Sequence, residues 1–266
     1  MSTLALAVRD SATMLRRNLL HARRYPSMTL NLLLTPVMLL LLFVYVFGDT
    51  MSAGLAGGAP DRDVYIAYVV PGLLLMTIGS TTIGTAVSVA TDMTEGIVAR
   101  FRTMAIHRGS VLIGHVLGSV LQCLASVVFV GAIAVAIGFR STDATVLEWL
   151  AAFGLLALFA MALTWVAVGM GLVSPNAEGA SNNATPLILL PLLSSAFVPL
   201  DAMPGWFRPI AEYQPFTPAI ETLRGLLLGT EIGHDGWLSF AWCLGLVVLG
   251  YLWSKASFNR DPKEAR

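Results

Sequence analysis

The sequence predicts an all-α membrane protein, with six transmembrane helices preceded by an amphipathic helix at the membrane interface. Three observations carry that prediction. Hydrophobic residues make up 56% of the 266-residue chain and charged residues only 12%, against roughly 25% charged in an ordinary globular domain; mean hydropathy is +0.75. Apolar runs recur near the ~20 residues that cross a hydrocarbon core of about 30 Å. Lys and Arg gather in alternate connections between those runs, the pattern that orients membrane proteins. Formal net charge is zero, so total charge points to no nucleic acid or acidic substrate, and its distribution along the chain is what informs.

The first 27 residues form their own element. Leu4, Val8, Ala12, Leu15 and Leu19 fall on one helical stripe, flanked by Arg9, Arg16 and Arg23 at seven-residue spacing. An interfacial helix of this kind sinks its apolar stripe to the acyl boundary while each arginine gains about 1 kcal/mol from anionic headgroups. The plainer reading is a basic segment that only sets topology. The basic region exceeds twenty residues and the first apolar run has span length, which predicts a retained first helix rather than a cleaved leader.

Spans are predicted at 28–47, 64–90, 111–138, 147–173, 184–200 and 236–254, within a single domain whose bundle covers 28–254 and whose tail covers 255–266. Pro186, Pro191 and Pro199 interrupt the fifth; inside a bundle, neighbouring helices satisfy the carbonyls that proline frees. One side of the bundle carries Arg9, Arg16, Arg17, Arg23, Arg24, Arg100, Arg102, Arg108, Lys255, Arg260, Lys263 and Arg266, and the other only Arg62, Arg140, Arg208 and Arg224. This asymmetry predicts that both termini are cytoplasmic.

The longest loop on the basic side, 91–110, places Ile97, Phe101 and Met104 at i, i+4, i+7, edged by Arg100, Arg102 and Arg108. A short helix with an apolar edge and cationic flanks suits a groove on a soluble partner; the alternative is a loop whose Phe and Met tuck under the headgroups.

Across the membrane, the segment 201–235 carries Pro204, Pro209, Pro215 and Pro218, so no long helix forms in its first half. Thr217 is a candidate N-cap, Pro218 suits the first helical position, and Gly229 suits a left-handed C-terminal stop. Ile220, Leu223, Leu226 and Leu227 make one side of this helix apolar, and Glu221 and Arg224 stand at i, i+3 for pairing. Too short to span, the helix either lies on the outer surface or enters and leaves on the same side; if it is only a brace, it holds the outer ends of the spans.

No predicted span carries Asp, Glu, Lys or Arg near its centre; the strongly polar interior groups are His115 and Gln122. Ion-coupled carriers usually need an intramembrane ionisable group, so these two read better as helix-contact residues. Gly114 and Gly118 permit close helix approach, and Cys123 and Cys243 sit in apolar runs as packed thiols. The sequence contains no phosphate-binding loop, its only lysines being Lys255 and Lys263, no H-E-x-x-H and no placed nucleophile elbow. No catalytic or metal-ligating residue is assigned, and energy for any work must come from another subunit.

Three stretches then carry a specific likeness: Glu95-Gly96-Ile97 through Arg100-Phe101-Arg102 and Arg108; Phe197-Val198-Pro199-Leu200 with Met203-Pro204-Gly205-Trp206; and Tyr213-Gln214-Pro215-Phe216-Thr217-Pro218 running into Glu221-Thr222-Leu223-Arg224-Gly225-Leu226-Leu227. Over nearly its whole length the chain resembles the permease subunit of a type-2 ABC exporter, in the bacterial daunorubicin-resistance group. The resemblance implies six spans, a coupling helix after span two formed from Glu95, Gly96, Ile97, Arg100, Phe101, Arg102 and Met104, and short re-entrant helices before span six whose gate motif is Pro215, Thr217, Pro218, Glu221 and Arg224. It implies a multi-pass protein of the bacterial cytoplasmic membrane, paired with a second permease copy or a paralogue and with two P-loop ATPase subunits. ATP and Mg sit on those partners and no cofactor on this chain. Where relatives carry proline after the coupling helix, this chain has Ala105-Ile106-His107-Arg108, which extends the expected helix. The implied cargo is a hydrophobic or amphipathic drug-like compound. An exporter of lipid-linked saccharide or polymer, and an ATPase-independent scaffold or channel component, remain the alternatives. Phe43, Tyr45, Phe129, Phe159, Trp165 and Phe197 could line a drug path, but such aromatics more often face lipid or pack, and none is assigned to a ligand.

Overall fold

A computed structural model describes residues 26–51, 61–95, 108–141 and 144–259. The interfacial helix expected before Pro26, and Gly96, Ile97, Arg100, Phe101, Arg102 and Met104 of the expected coupling helix, lie outside the described residues.

The described residues are helical throughout, joined by turns, with no strand among them. They form α1 (Pro26–Leu42), continued by a wide π turn at Phe43–Phe47, then α2 (Arg62–Thr94), α3 (Arg108–Ala136), α4 (Val146–Val173), α5 (Ala177–Ala184), α6 (Pro186–Leu189), α7 (Arg208–Tyr213), α8 (Phe216–Leu228) and α9 (Asp235–Asn259). Five stretches are long and apolar enough to cross a membrane: Leu33–Met51, Arg62–Thr94, Leu112–Ala136, Val146–Val173 and Asp235–Asn259. They match the first, second, third, fourth and sixth expected spans to within a few residues.

The segment 184–200, expected as one span, is not one helix. Its chain passes through α5, α6, a 3-10 turn at Leu190–Leu193, an irregular stretch and a second 3-10 turn at Leu200–Ala202. Each proline removes a backbone donor and cannot continue a helix entered from its N-terminal side: Pro186 begins α6, Pro191 sits in the 3-10 turn, and Pro199 precedes the next one. The polar groups this exposes are met by neighbours, as the interrupted sequence requires. Gln214 donates to the Leu193 carbonyl at 2.7 Å, the Ser194 hydroxyl accepts from Ala196 N–H at 3.1 Å, and the Thr217 hydroxyl accepts from Ser195 N–H at 3.3 Å.

This broken segment runs lengthwise along α2. Near the Thr94 end of the bundle, Asn183 donates to Ser174 at the close of α4; farther along, Leu187 presses its backbone against Gly79; and Ala196 rests on Gly72 near the Arg62 end. A Cβ at Gly72 would fall 2.5 Å from that of Ala196, closer than packed atoms permit. We therefore expect Gly72→Ala to lower stability by about 1–3 kcal/mol, the usual range for overpacking. Gly154→Ala, with nothing within 4 Å, should change it little. Thermal denaturation of the two variants in detergent decides between these outcomes.

α2 is the centre of the bundle: 83% of its most apolar window is buried, against 22% for α1 and 17% for α9. Its sequence suits that position. Glycines at 72 and 79 admit backbone contact, and its buried hydroxyls hand their protons back to their own helix: Thr77 to the Leu73 carbonyl at 2.7 Å, Ser80 to Thr77 at 2.9 Å and Thr82 to Gly79 at 2.8 Å. α4 and α9 approach closely at a glycine on each. The Trp253 ring covers Gly169, the α4 backbone at Trp165 and Val166 lies against Gly250, and Ser254 donates to the Trp165 carbonyl at 3.1 Å. A Thr145–Glu148 capping box starts α4. Trp149 and Trp237, exposed at the first turns of α4 and α9, mark the Arg62 end as an interface where amphipathic rings settle.

Candidate functional site

α8 is the element on which the expected gate motif falls, and its start differs from the expectation. The helix begins at Phe216 after Pro215, with no side-chain cap, so Thr217 is its second residue and Pro218 its third. Both prolines fit because the N–H groups of a first turn have no intrahelical partner to lose. Thr217, freed from capping, is 1% exposed and knits three segments together: it donates to the Ala211 carbonyl of α7 and accepts from Ser195 N–H. At the other end Gly229 adopts φ 71° and its N–H reaches the Gly225 carbonyl at 2.9 Å, the left-handed stop that the sequence predicts.

The depth of α8 follows from its contacts. The Phe216 ring meets Phe159 edge-on at 5.0 Å, and Phe159 lies about 20 Å along α4 from Val146 at 1.5 Å per residue. At its far end Leu227 accepts from Ser141, in the connection between α3 and α4, at 2.5 Å. The helix therefore runs from the middle of the bundle to the Arg62 end. Ile220, Leu223 and Leu227 of the predicted apolar face are buried and Leu226 is half-buried.

Arg224 sits within this half-depth helix with 9% of its side chain exposed. Nη1 donates to both Glu221 carboxylate oxygens, at 2.6 and 2.7 Å, so the predicted pair forms. Nη2 reaches two backbone carbonyls from distant parts of the chain, Tyr68 at 3.0 Å and Ser195 at 3.2 Å. The guanidinium plane stands 3.9 Å from the centre of the Tyr68 ring, a desolvated cation–π contact, and the Tyr68 hydroxyl donates to the same Ser195 carbonyl at 2.9 Å. One cation thus ties α8, α2 and the broken segment together, which suits a guanidinium with its five donors in a planar fork better than an ammonium. Nothing in the spacing of the sequence joins Tyr68 or Ser195 to Arg224; the only local sign is a phenol inside an apolar run.

Glu95, the one described residue of the expected coupling surface, caps α2, its N–H donating to Thr91 at 2.9 Å. His115, read from sequence as a satisfied contact, has its Nε2 3.0 Å from Asp92 Oδ2. Asp92 falls in the loop that the sequence predicts at 91–110, but α2 runs four residues farther than predicted and carries it into the bundle. Cys123 and Cys243 are buried free thiols.

The model of the family described as ABC-2 type transporter matches residues 10–228. The chain belongs to the ABC-2 type transporter family. Among its relatives in that family, the daunorubicin resistance ABC transporter permease protein DrrB1 of Streptomyces coeruleorubidus is 30% identical over 250 residues, covering 92% of this chain and 84% of the relative. Nodulation protein J of Rhizobium meliloti is 25% identical over 79% of each chain. The probable doxorubicin resistance ABC transporter permease protein DrrC of Mycobacterium tuberculosis is 24% identical over 62% of this chain and 59% of the relative. An ABC-2 permease is the membrane subunit of an ABC transporter and works with a separate ATPase subunit, so this chain is a multi-pass membrane protein that is not itself catalytic. The matched region takes in all of α1 through α8, including Glu221 and Arg224.

Proposed function

We propose that this chain is the permease subunit of an ATP-driven exporter that moves hydrophobic or amphipathic drug-like compounds out across the bacterial cytoplasmic membrane. The observation that carries the proposal is the likeness to a daunorubicin resistance permease over 92% of the chain. On this reading the chain crosses six times, the broken segment along α2 being the fifth crossing and α8 a re-entrant helix. Support for that count comes from the course of 177–196, from Ser174 at one end of α4 to Tyr68 near the opposite end of α2. The excess of Lys and Arg on one side supports cytoplasmic termini, which puts the Thr94 end inside and the Arg62 end outside.

Two ATPase subunits dock beneath the loop of Glu95, Gly96, Ile97, Arg100, Phe101, Arg102 and Met104, and a second permease copy or a paralogue completes the complex. Closure of the ATPase subunits on Mg-ATP displaces that loop, and the central helix α2 carries the displacement outward to the Arg224 junction. There Pro215, Thr217, Pro218, Glu221 and Arg224 hold the outer gate against α2, so a shift of α2 is felt directly by the gate.

Purification of the chain with its P-loop ATPase in lipid, and ATPase assays over amphipathic drugs and lipid-linked saccharides, test this function. Anthracycline-type drugs are expected to stimulate hydrolysis. Stimulation by the saccharides alone, or no complex at all, would overturn the proposal.

A further inference from the structure

At the Thr94 end, a buried ionisable pair joins two helices. Asp92 is two residues from the end of α2, His115 is seven residues into α3, and each side chain is 9% exposed. A carboxylate so near a helix end would ordinarily face water, and placing it between packed helices costs several kcal/mol unless it is paired. A pair of aliphatic side chains would hold the two helices together at least as well. What a side-chain hydrogen bond at 3.0 Å adds is register, because it is satisfied in one alignment of the two helices.

The rest of the α2–α3 seam has the same character. Seven residues back from Asp92, the Thr85 hydroxyl hydrogen-bonds the Ser119 hydroxyl, four residues on from His115. The polar groups thus follow one face of each antiparallel helix, and sliding α2 past α3 would unmake all of them. The connection 96–107 joins these two helices, and α2 continues for about 39 Å from its Thr94 end to the Tyr68–Arg224 junction.

We infer that the Asp92–His115 contact is a positioning pair that makes α2 and α3 move as one body when the ATPase subunit acts on the connection between them. Without it the loop would be displaced, but α2 would no longer transmit the displacement to the outer junction. The inference rests on the permease reading above and adds to it a named coupling element.

The test uses the complete complex in proteoliposomes, with three readouts: ATPase recovered with the permease, ATP hydrolysed, and anthracycline moved per ATP. Asp92→Ala and His115→Ala are expected to recover the ATPase like the unsubstituted chain and to keep hydrolysing ATP. Drug moved per ATP should fall about tenfold, within the range of coupling between distant sites. Asp92→Asn keeps an acceptor for the histidine N–H and is expected to restore most of the ratio. An unchanged ratio in both alanine variants, or an Asp92→Asn variant no better than Asp92→Ala, would overturn the inference.

Hydrogen exchange on the unsubstituted complex needs no variant to fold. ATP binding should alter protection at 88–94 and 109–116 together, and a change confined to one of them would contradict the pair. An unsubstituted complex that moves no drug with ATP would overturn the permease reading itself, a result separable from the variants because it appears in the control.

Discussion

Glu221→Ala is expected to be the most destabilising single change at the outer junction, at about 3–5 kcal/mol, the cost of leaving a buried charge without its partner. The carboxylate is the partner with water available, 29% exposed, whereas the guanidinium it neutralises is 9% exposed. Removing Glu221 strands the cation; removing Arg224 instead leaves a carboxylate that can turn toward solvent, together with the Tyr68 and Ser195 carbonyls. Arg224→Ala should therefore cost less than Glu221→Ala, nearer the low end of that range. Arg224→Lys should recover part of the loss, since one ammonium cannot reproduce both the bidentate pair and the two carbonyl bonds. Thermal denaturation of the purified chain in lipid nanodiscs ranks the three, and Arg224→Ala proving the worse variant would contradict this distribution of charge.

Exchanging Glu221 and Arg224 sharpens the same point. A simple i, i+3 pair survives exchange, and sequence spacing alone would predict rescue. The geometry predicts failure, because a carboxylate at position 224 would face the Tyr68 and Ser195 carbonyls that Arg224 now serves. Recovery of stability by the exchanged chain would show that those two contacts contribute little.

The second large effect is expected at the proposed coupling loop. Truncation of Phe101 and Met104 together should cost the ATPase complex about 3 kcal/mol, taking each as an anchor of 1–2 kcal/mol. That is a loss of roughly 100-fold in affinity. Co-purification and ATPase binding by Phe101→Ala/Met104→Ala measure it, and an undiminished complex would remove these residues from the coupling surface.

Why some of this was legible in the sequence and some not follows from the range of the forces involved. Helix existence was legible wherever apolar length decided it, since a run such as 147–173 has no other stable form in lipid. The left-handed stop at Gly229 and the Glu221–Arg224 pair were legible because they are local, set within four residues of chain. The fate of 184–200 turned on three prolines whose cost depends on what lies alongside, and Gly72, Gly79, Gln214 and Thr217 supply that from far away in sequence. Thr217 shows the same limit in one residue. Its hydroxyl suits a cap, yet the fold uses it to join α7 to the Ser195 backbone, and a cap at 217 would have left both groups unmet.

Tyr68 and Asp92 were missed for different reasons. Tyr68 is bound 156 residues away in sequence, beyond any local pattern. Asp92 was lost because the sequence reading ended the second span at 90, where charge resumes, although a buried histidine opposite makes a carboxylate tolerable there.

The most direct test of the central claim is anthracycline accumulation in inverted membrane vesicles containing this chain with or without its ATPase subunit. Quenching of drug fluorescence should develop only when both subunits and Mg-ATP are present, and should be abolished by a non-hydrolysable ATP analogue. Accumulation that proceeds without the ATPase, or none when all components are present, would contradict the assignment of an ATP-driven drug exporter.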